Sequence, residues 1–166
     1  MKQITVALLL ATAFTGLSCT DRPEAAPRAD LFGPSTPLGG LVACRMSTPA
    51  SASETIGPDG GTIEVGPHVL RILPGALTSD VTITATVPAD TVVRVDLQPE
   101  GLQFERPVYL TLSYADCGLV RSFLPKRIAF TTVDLDIISY LLSFDNLFAQ
   151  RVTGRLEHFS TYAVAW

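Results

Sequence analysis

The side chains that most often carry out chemistry in proteins are scarce in this sequence, which has two histidines and three cysteines among 166 residues. None of them forms a Cys-x-x-Cys or His-Glu-x-x-His arrangement, which argues against a zinc site built from protein ligands alone. Asp134 and Asp136 are two residues apart, so a strand would place both carboxylates on one face, as acid–base chemistry or a bound cation would require. No third ligand adjoins them in the sequence. We therefore interpret the two aspartates as a solvated surface pair.

The remaining polar candidates are assigned structural roles. His68 follows Pro67 at the start of a predicted strand, and we expect a surface or capping role for it. Glu100 and Glu105 flank Phe104, and we interpret them as turn and edge charges that discourage pairing between sheet edges. No nucleophile, base and orienting acid can be recognised as a set. The sequence therefore favours a non-enzymatic protein, and we expect neither a metal nor a cofactor.

The N-terminal residues predict export. Met1 and Lys2 precede an apolar run over residues 4–13, and small residues follow. This pattern is typical of a secretory signal peptide, which we place at residues 1–18. The order Gly16-Leu17-Ser18-Cys19 resembles a bacterial lipobox. That resemblance implies that Cys19 is acylated and becomes the new N-terminus, and that Thr20, in place of an aspartate, directs the lipoprotein to the outer membrane. The alternative is an ordinary signal peptide with an incidental Cys19.

The other two cysteines suit an oxidising compartment. In the bacterial envelope Cys44 and Cys117 can form a persistent disulfide, and this is the pairing we predict. The alternative is a reactive thiol, which needs a lowered pKa. Asp116 beside Cys117 disfavours the thiolate and with it that alternative.

Composition and patterning predict one folded domain after a tether. The chain is 47% hydrophobic, which excludes disorder throughout. Its net charge of −4, without a basic block, argues against nucleic-acid binding. Residues 19–54 are rich in Pro, Ala and Ser and predict a lipid-anchored tether. Residues 55–166 alternate apolar and polar side chains between short turn signals, which predicts an all-β, antiparallel β-sandwich.

We expect about nine strands in that sandwich. They cover residues 62–65, 68–73, 81–87, 92–97, 108–114, 127–133, 137–142, 148–156 and 159–166, although 137–142 also fits a helical face. Turn residues include Asp145-Asn146. We expect Phe104, Phe130 and Phe148 to pack in the core, the alternative being a glycan groove lined by exposed aromatic rings.

Several motifs occur in an order that resembles a known family. They are Gly60-Gly61-Thr62, Leu73-Pro74-Gly75-Ala76-Leu77, Pro99-Glu100-Gly101-Leu102-Gln103-Phe104, Pro107 and Leu110-Thr111-Leu112. In this order they resemble the ZU-five domain, a β-sandwich module of zona-occludens, ankyrin and netrin-receptor proteins and of bacterial envelope lipoproteins. The resemblance covers residues 55–166. It implies a binding or structural module whose partner is another envelope protein.

The same resemblance draws attention to His158-Phe159-Ser160. Some members of the family cut themselves between Phe and Ser in a His-Phe-Ser sequence. Carried over to this chain, Ser160 would attack the carbonyl of Phe159, and His158 would help to deprotonate the hydroxyl. The structural alternative is that Phe159 packs in the core of the last strand while His158 and Ser160 form hydrogen bonds at its start.

Overall fold

Two antiparallel sheets contain all eleven strands in the described part of the chain, which is residues 40–117 and 124–166 of a computed structural model. The strands are β1 Ala50–Ile56, β2 Gly61–Val65, β3 His68–Ile72, β4 Val81–Val87, β5 Arg94–Gln98, β6 Gln103–Ser113, β7 Arg127–Thr131, β8 Ile137–Tyr140, β9 Ser143–Asn146, β10 Arg151–His158 and β11 Thr161–Ala165. The six-stranded sheet has the order β1-β4-β5-β11-β7-β8, and the five-stranded sheet has the order β2-β3-β6-β10-β9. This confirms the predicted all-β fold. Within residues 40–117 and 124–166, no helix is long and apolar enough to cross a membrane.

The core lies between the sheets and follows the predicted alternation. In β4, Ile83, Ala85 and Val87 are buried, while the threonines between them face outward. The five-stranded sheet contributes inward rows of the same kind, such as Leu110 and Leu112 of β6. Alternate residues of a strand point to opposite faces, so in β4 and β6 alternate side chains pack inward while most of the others face outward.

Strand β6 begins at Gln103, earlier than the predicted start at residue 108, and Pro107 therefore lies inside the strand. The ladder with β3 starts at Val108, and the ladder with β10 is irregular at this point, passing from the pair Leu156–Val108 directly to the pair His158–Gln103. Pro107 therefore stands where neither neighbour needs a backbone N–H, which is the placement that a strand tolerates for proline.

The folded region also begins before residue 55, the predicted start of the sandwich. Strand β1 pairs along its whole length with β4. On the exposed face, three hydroxyl pairs join the two strands at 2.9–3.3 Å, namely Ser51 with Thr86, Ser53 with Thr84, and Thr55 with Thr82. The sequence of β1 consists mainly of small and hydroxyl residues and lacks the branched apolar alternation that identifies strands. The partner strand, rather than local preference, specifies β1.

A segment that we call the strap, residues 40–47, fixes the chain to the domain before β1. Leu41 and Ala43 form isolated bridges to Ala165 and Val92, and Val42 is buried. Cys44 forms a disulfide with Cys117, as predicted. The predicted signal peptide at residues 1–18, the lipidation site Cys19 and the first part of the tether lie outside the described residues.

Strands β8 and β9 follow each other closely and lie at the edges of the two sheets. The segment whose pattern left strand and helix open is therefore a strand. The turn predicted at Asp145-Asn146 is wrong, since both residues belong to β9. Asp145 is held there because its carboxylate accepts hydrogen bonds from Tyr114 Oη and from the backbone N–H of Lys126, both at 2.7 Å.

The chain turns after β9, at residues 147–150, and this placement overturns one predicted core position. Phe148 lies in the turn with its side chain fully exposed. Phe104 and Phe130 are partly buried and pack against the core as expected. An aromatic residue near a strand pattern is most often buried, so no feature of the sequence indicated that Phe148 would face solvent.

Candidate functional site

The sequence His158-Phe159-Ser160 forms the bend between β10 and β11. Phe159 is completely buried, and its ring meets that of Phe104 edge to face at a centroid distance of 4.9 Å. Ser160 is also buried, whereas His158 is half-buried and packs edge to face against Phe130 at 4.9 Å. Phe159 therefore serves the core, although it lies just before the last strand rather than within it.

Backbone hydrogen bonds hold the bend on both sides of the Phe159–Ser160 peptide bond. Phe159 donates its N–H to the carbonyl of Leu102 at 3.0 Å, and Ser160 accepts at its carbonyl from the N–H of Leu97 at 3.0 Å. The phenol of Tyr162 donates to the carbonyl of His158 at 2.6 Å. Burial and the nearby Glu157 raise the pKa of Tyr162, so the phenol keeps its proton.

The carbonyl oxygen of Phe159 has two polar neighbours. It accepts a hydrogen bond from the backbone N–H of Gly101 at 2.8 Å, and Nδ1 of His158 lies 3.3 Å away. Donors aimed at a carbonyl oxygen are the groups that stabilise negative charge during acyl transfer. The imidazole is therefore placed at the carbonyl of the Phe159–Ser160 bond. Within the described residues, no hydrogen bond joins it to the Ser160 hydroxyl, which differs from the base role expected from the sequence.

A second feature runs along β8, the connection at residues 141–142 and β9, where four apolar side chains are exposed at every second residue. We call Ile138, Tyr140, Leu142 and Phe144 the apolar row. Their exposed fractions are 54%, 38%, 84% and 74%, and Phe148 stands fully exposed in the turn that follows. Large exposed apolar side chains scattered singly are normal on protein surfaces, whereas several that lie close together in the chain make a candidate interaction site.

The apolar row borders a cavity of about 280 Å³ between β8 and β10. Tyr140 and Leu142 line one side of it, Arg155 and Glu157 line another, and His158 also faces it. The cavity therefore connects the apolar row with the bend at His158.

The structure does not place His68 on the surface, as the sequence analysis expected. The side chain is only 3% exposed, and its Nδ1 accepts a hydrogen bond from the backbone N–H of Ser113 at 3.1 Å. Burial, with a smaller effect from the positive charge of Arg151, lowers the pKa of His68 to about 4. The imidazole is therefore neutral at pH 7. The position beside Pro67 misled the prediction, because the strand it begins turns His68 inward.

Asp134 and Asp136 lie on the surface as predicted, but they do not share the face of a strand. Asp134 and Asp136 are exposed around a turn rather than on a strand face, and Asp136 donates its backbone N–H to Thr132 Oγ1. Among the described residues, no group of three or more His, Cys, Asp or Glu side chains is arranged to hold a metal ion. Glu100 lies in a turn as expected, and Glu105 lies in the first part of β6, before the ladder with β3 starts at Val108, where its backbone N–H donates to the carbonyl of Ala76 at 3.0 Å.

Comparison with known proteins leaves the family open, since no protein-family model and no curated protein matches this chain. The resemblance to the ZU-five domain therefore remains a prediction. The observed sheets agree with the fold class that it implies.

The apolar row is the feature that sequence reasoning missed. Its signal is present, because apolar side chains recur at every second position from Ile138 to Phe144. The residues between them include Leu141, which is also apolar, and the mixture fitted a helical face equally well. Only the pairing of β8 with β7 and of β9 with β10 shows which set faces outward.

Proposed function

We propose that this chain is a non-enzymatic binding module of the bacterial cell envelope, and that the apolar row is where it binds another envelope protein. The observation that carries this proposal is the exposure of four alternating apolar side chains on two edge strands and the connection between them. Solvent-exposed edge strands can take up a further strand from a partner, with side-chain contacts supplying specificity. The bordering cavity gives such a partner a recess beside the row.

A protein partner suits the apolar row better than a glycan does. Ile138 and Leu142 are aliphatic and alternate along the row with the rings of Tyr140 and Phe144. A mixed row of this kind resembles the apolar centre of a protein interface, where aromatic anchors are surrounded by contacts that exclude water. Glycan binding, which needs exposed rings on one face, remains the lesser alternative.

The experiment that tests this function places a photo-crosslinking amino acid at position 142 of the full chain in bacterial cells. We expect one partner to be captured from position 142 and lost when Phe144→Ser is added. Position 46 is the matched control, since Met46 is 71% exposed but lies on the strap. Equal capture from positions 142 and 46, or no protein enriched at 142 under any growth condition, would refute binding at the apolar row.

The envelope location is part of the proposal and has a separate test. It is supported by the predicted signal peptide, by Cys19 and by the Cys44–Cys117 disulfide, because disulfides persist in oxidising compartments. We expect the intact mass of the protein from bacterial membranes to lack residues 1–18, to carry an acyl addition at Cys19 and to lack two hydrogens at the disulfide. A mass with residues 1–18 retained would exclude the anchor.

A second candidate function is self-cleavage between Phe159 and Ser160, and the hydrogen bond from Gly101 to the Phe159 carbonyl favours it. In this reaction the Ser160 oxygen bonds to the carbonyl carbon, the C–N bond breaks, and the Ser160 nitrogen takes up the hydroxyl proton. Water then hydrolyses the ester and leaves residues 160–166 as a separate peptide. The Gly101 N–H would stabilise the oxyanion, and His158 would act at the same oxygen.

Intact-mass measurement under denaturing conditions tests this candidate with two variants. We expect Ser160→Ala to remain full length, while the wild type yields a second species that lacks residues 160–166. Thr161→Ala is the matched control, since it changes the neighbouring hydroxyl that bonds to Asp96 and leaves the attacking group in place. Identical full-length masses for all three proteins would refute self-cleavage.

A further inference from the structure

A cavity of about 350 Å³ lies beneath the strap, and it shares no lining residue with the apolar row or with the bend at His158. We call it the strap cavity. Met46 of the strap forms part of one wall, and Val87, Val93 and Pro67 contribute further apolar surface. This volume falls within the roughly 300–1,000 Å³ that small-molecule sites occupy. A mainly apolar lining with a few polar groups is also typical of such sites.

His68 places one polar group in this lining. Its Nδ1 accepts a hydrogen from Ser113, so in the neutral ring the remaining proton is on Nε2. Within the described residues no acceptor is hydrogen-bonded to Nε2, and Nε2 is not among the fully buried unpartnered polar atoms. His68 lines the cavity, so this N–H is the donor that the imidazole can offer to a ligand there. A ligand oxygen that accepts from this N–H inside the cavity would gain one hydrogen bond that an apolar ligand of the same shape cannot make.

The charges around the strap cavity favour a neutral ligand. Arg45 and Asp116 both line it and have opposite signs. The imidazole itself is neutral at pH 7, because burial lowers the pKa of His68 to about 4. The lining therefore has no net charge with which to retain an ion.

We propose that the strap cavity is a binding site for a small, neutral, mainly apolar molecule with one acceptor oxygen, such as a ketone, which His68 Nε2–H holds. The apolar walls take up the body of the ligand, and the single donor orients it. The strap closes one side of the site, and the disulfide at Cys44 keeps the strap in place. This inference is independent of the function proposed for the apolar row.

Two matched probes test the proposal on the oxidised full chain. Acetophenone carries a carbonyl oxygen, and α-methylstyrene has the same shape with a methylene group in its place. We expect acetophenone to shift the ¹⁵N resonance of His68 Nε2 and the amides of Val87 and Val93, and to bind roughly tenfold more tightly than α-methylstyrene, the effect of one buried hydrogen bond. Equal affinity for both probes, shifts confined to the apolar row, or no saturable shift would overturn the proposal.

Variants of His68 test whether the imidazole causes the difference in affinity between acetophenone and α-methylstyrene. His68→Phe should abolish the difference between the two probes by weakening acetophenone alone, and His68→Gln, which again offers an N–H, should restore part of it. Glu64→Gln, an exposed change on β2 outside the cavity, is the control and should leave both affinities unchanged. If His68→Phe does not fold, the comparison of the two probes on the wild type still decides the question. Unchanged discrimination in folded His68→Phe would show that the imidazole does not hold the ligand.

Discussion

The buried imidazole of His68 makes stability depend on pH. Its folded-state pKa is about 4, below the ordinary value of 6.5, so between those values the unfolded chain binds more protons than the folded one. Stability is therefore complete above pH 6.5 and is lost as the pH falls toward 4, by roughly 3 kcal/mol in total. Urea unfolding at several pH values should show this loss in the wild type and a smaller one in His68→Asn. Parallel pH profiles for the two proteins would contradict the assignment.

Two glycines in turns offer a matched comparison. Gly60 and Gly101 have φ angles of +72° and +76°, which disfavour any side chain with a Cβ. A Cβ at Gly60 would lie 2.5 Å from the carbonyl oxygen of Ile72, whereas at Gly101 nothing lies within 4 Å. We expect Gly101→Ala to cost about 1 kcal/mol of unfolding free energy from backbone strain alone and Gly60→Ala to cost clearly more. Thermal or urea unfolding measures both, and equal losses would show that the turn at Gly60 relaxes.

At the scale of the element, β1 owes part of its attachment to hydroxyl pairs. Thr55 and Thr82 face each other at 2.9 Å on the exposed side of the β1–β4 ladder. Cross-strand pairs of this kind contribute roughly 0.2–1 kcal/mol. A double-mutant cycle with Thr55→Ala and Thr82→Ala should give a coupling energy in that range. A second cycle with Thr55→Ala and Thr86→Ala, at two residues that are not paired, should show no coupling energy. Similar coupling energies in both cycles would indicate a general effect of the substitutions.

The elements differ in how far the sequence predicts them. β4 has branched apolar residues at alternate positions, so its local pattern and its environment agree. β1 and β9 could not be predicted in the same way, because small hydroxyl residues and an Asp-Asn pair favour turns locally. Pairing with β4 holds β1 in its strand conformation, and hydrogen bonds to Asp145 hold β9.

The bend at His158 and the strap cavity were harder still to predict from the sequence. The motif at His158 can be read from the sequence, but the donor to its carbonyl comes from Gly101, far away in the chain. The strap cavity combines residues of the strap with His68 and Ser113, which only the fold brings together. Neighbours along the chain therefore indicated which residues to consider, and the packing of distant segments determined what each can contact.

At the scale of the whole molecule, the disulfide closes a loop of 73 residues in sequence separation. Closing a loop of this length stabilises the folded state by about 4 kcal/mol in the loop-entropy account. We expect the variant Cys44→Ala, Cys117→Ala to unfold at a correspondingly lower urea concentration and wild type with reductant to match it. The same variant with reductant is the control and should not change further. An unchanged midpoint in the reduced protein would mean that packing of the strap alone supplies its stability.

The same bond also determines how the domain responds to a pulling force. Tension applied to the residues before Gly40 enters through the strap and passes covalently from Cys44 to Cys117, which follows the interior strand β6. The edge strand β1 comes later in the chain and bears none of that load. Once the disulfide is reduced, the same force breaks the few hydrogen bonds of the strap and then separates β1 from β4 one pair at a time, starting at Ala50. Mechanical resistance of this domain is therefore set by the redox state of its surroundings.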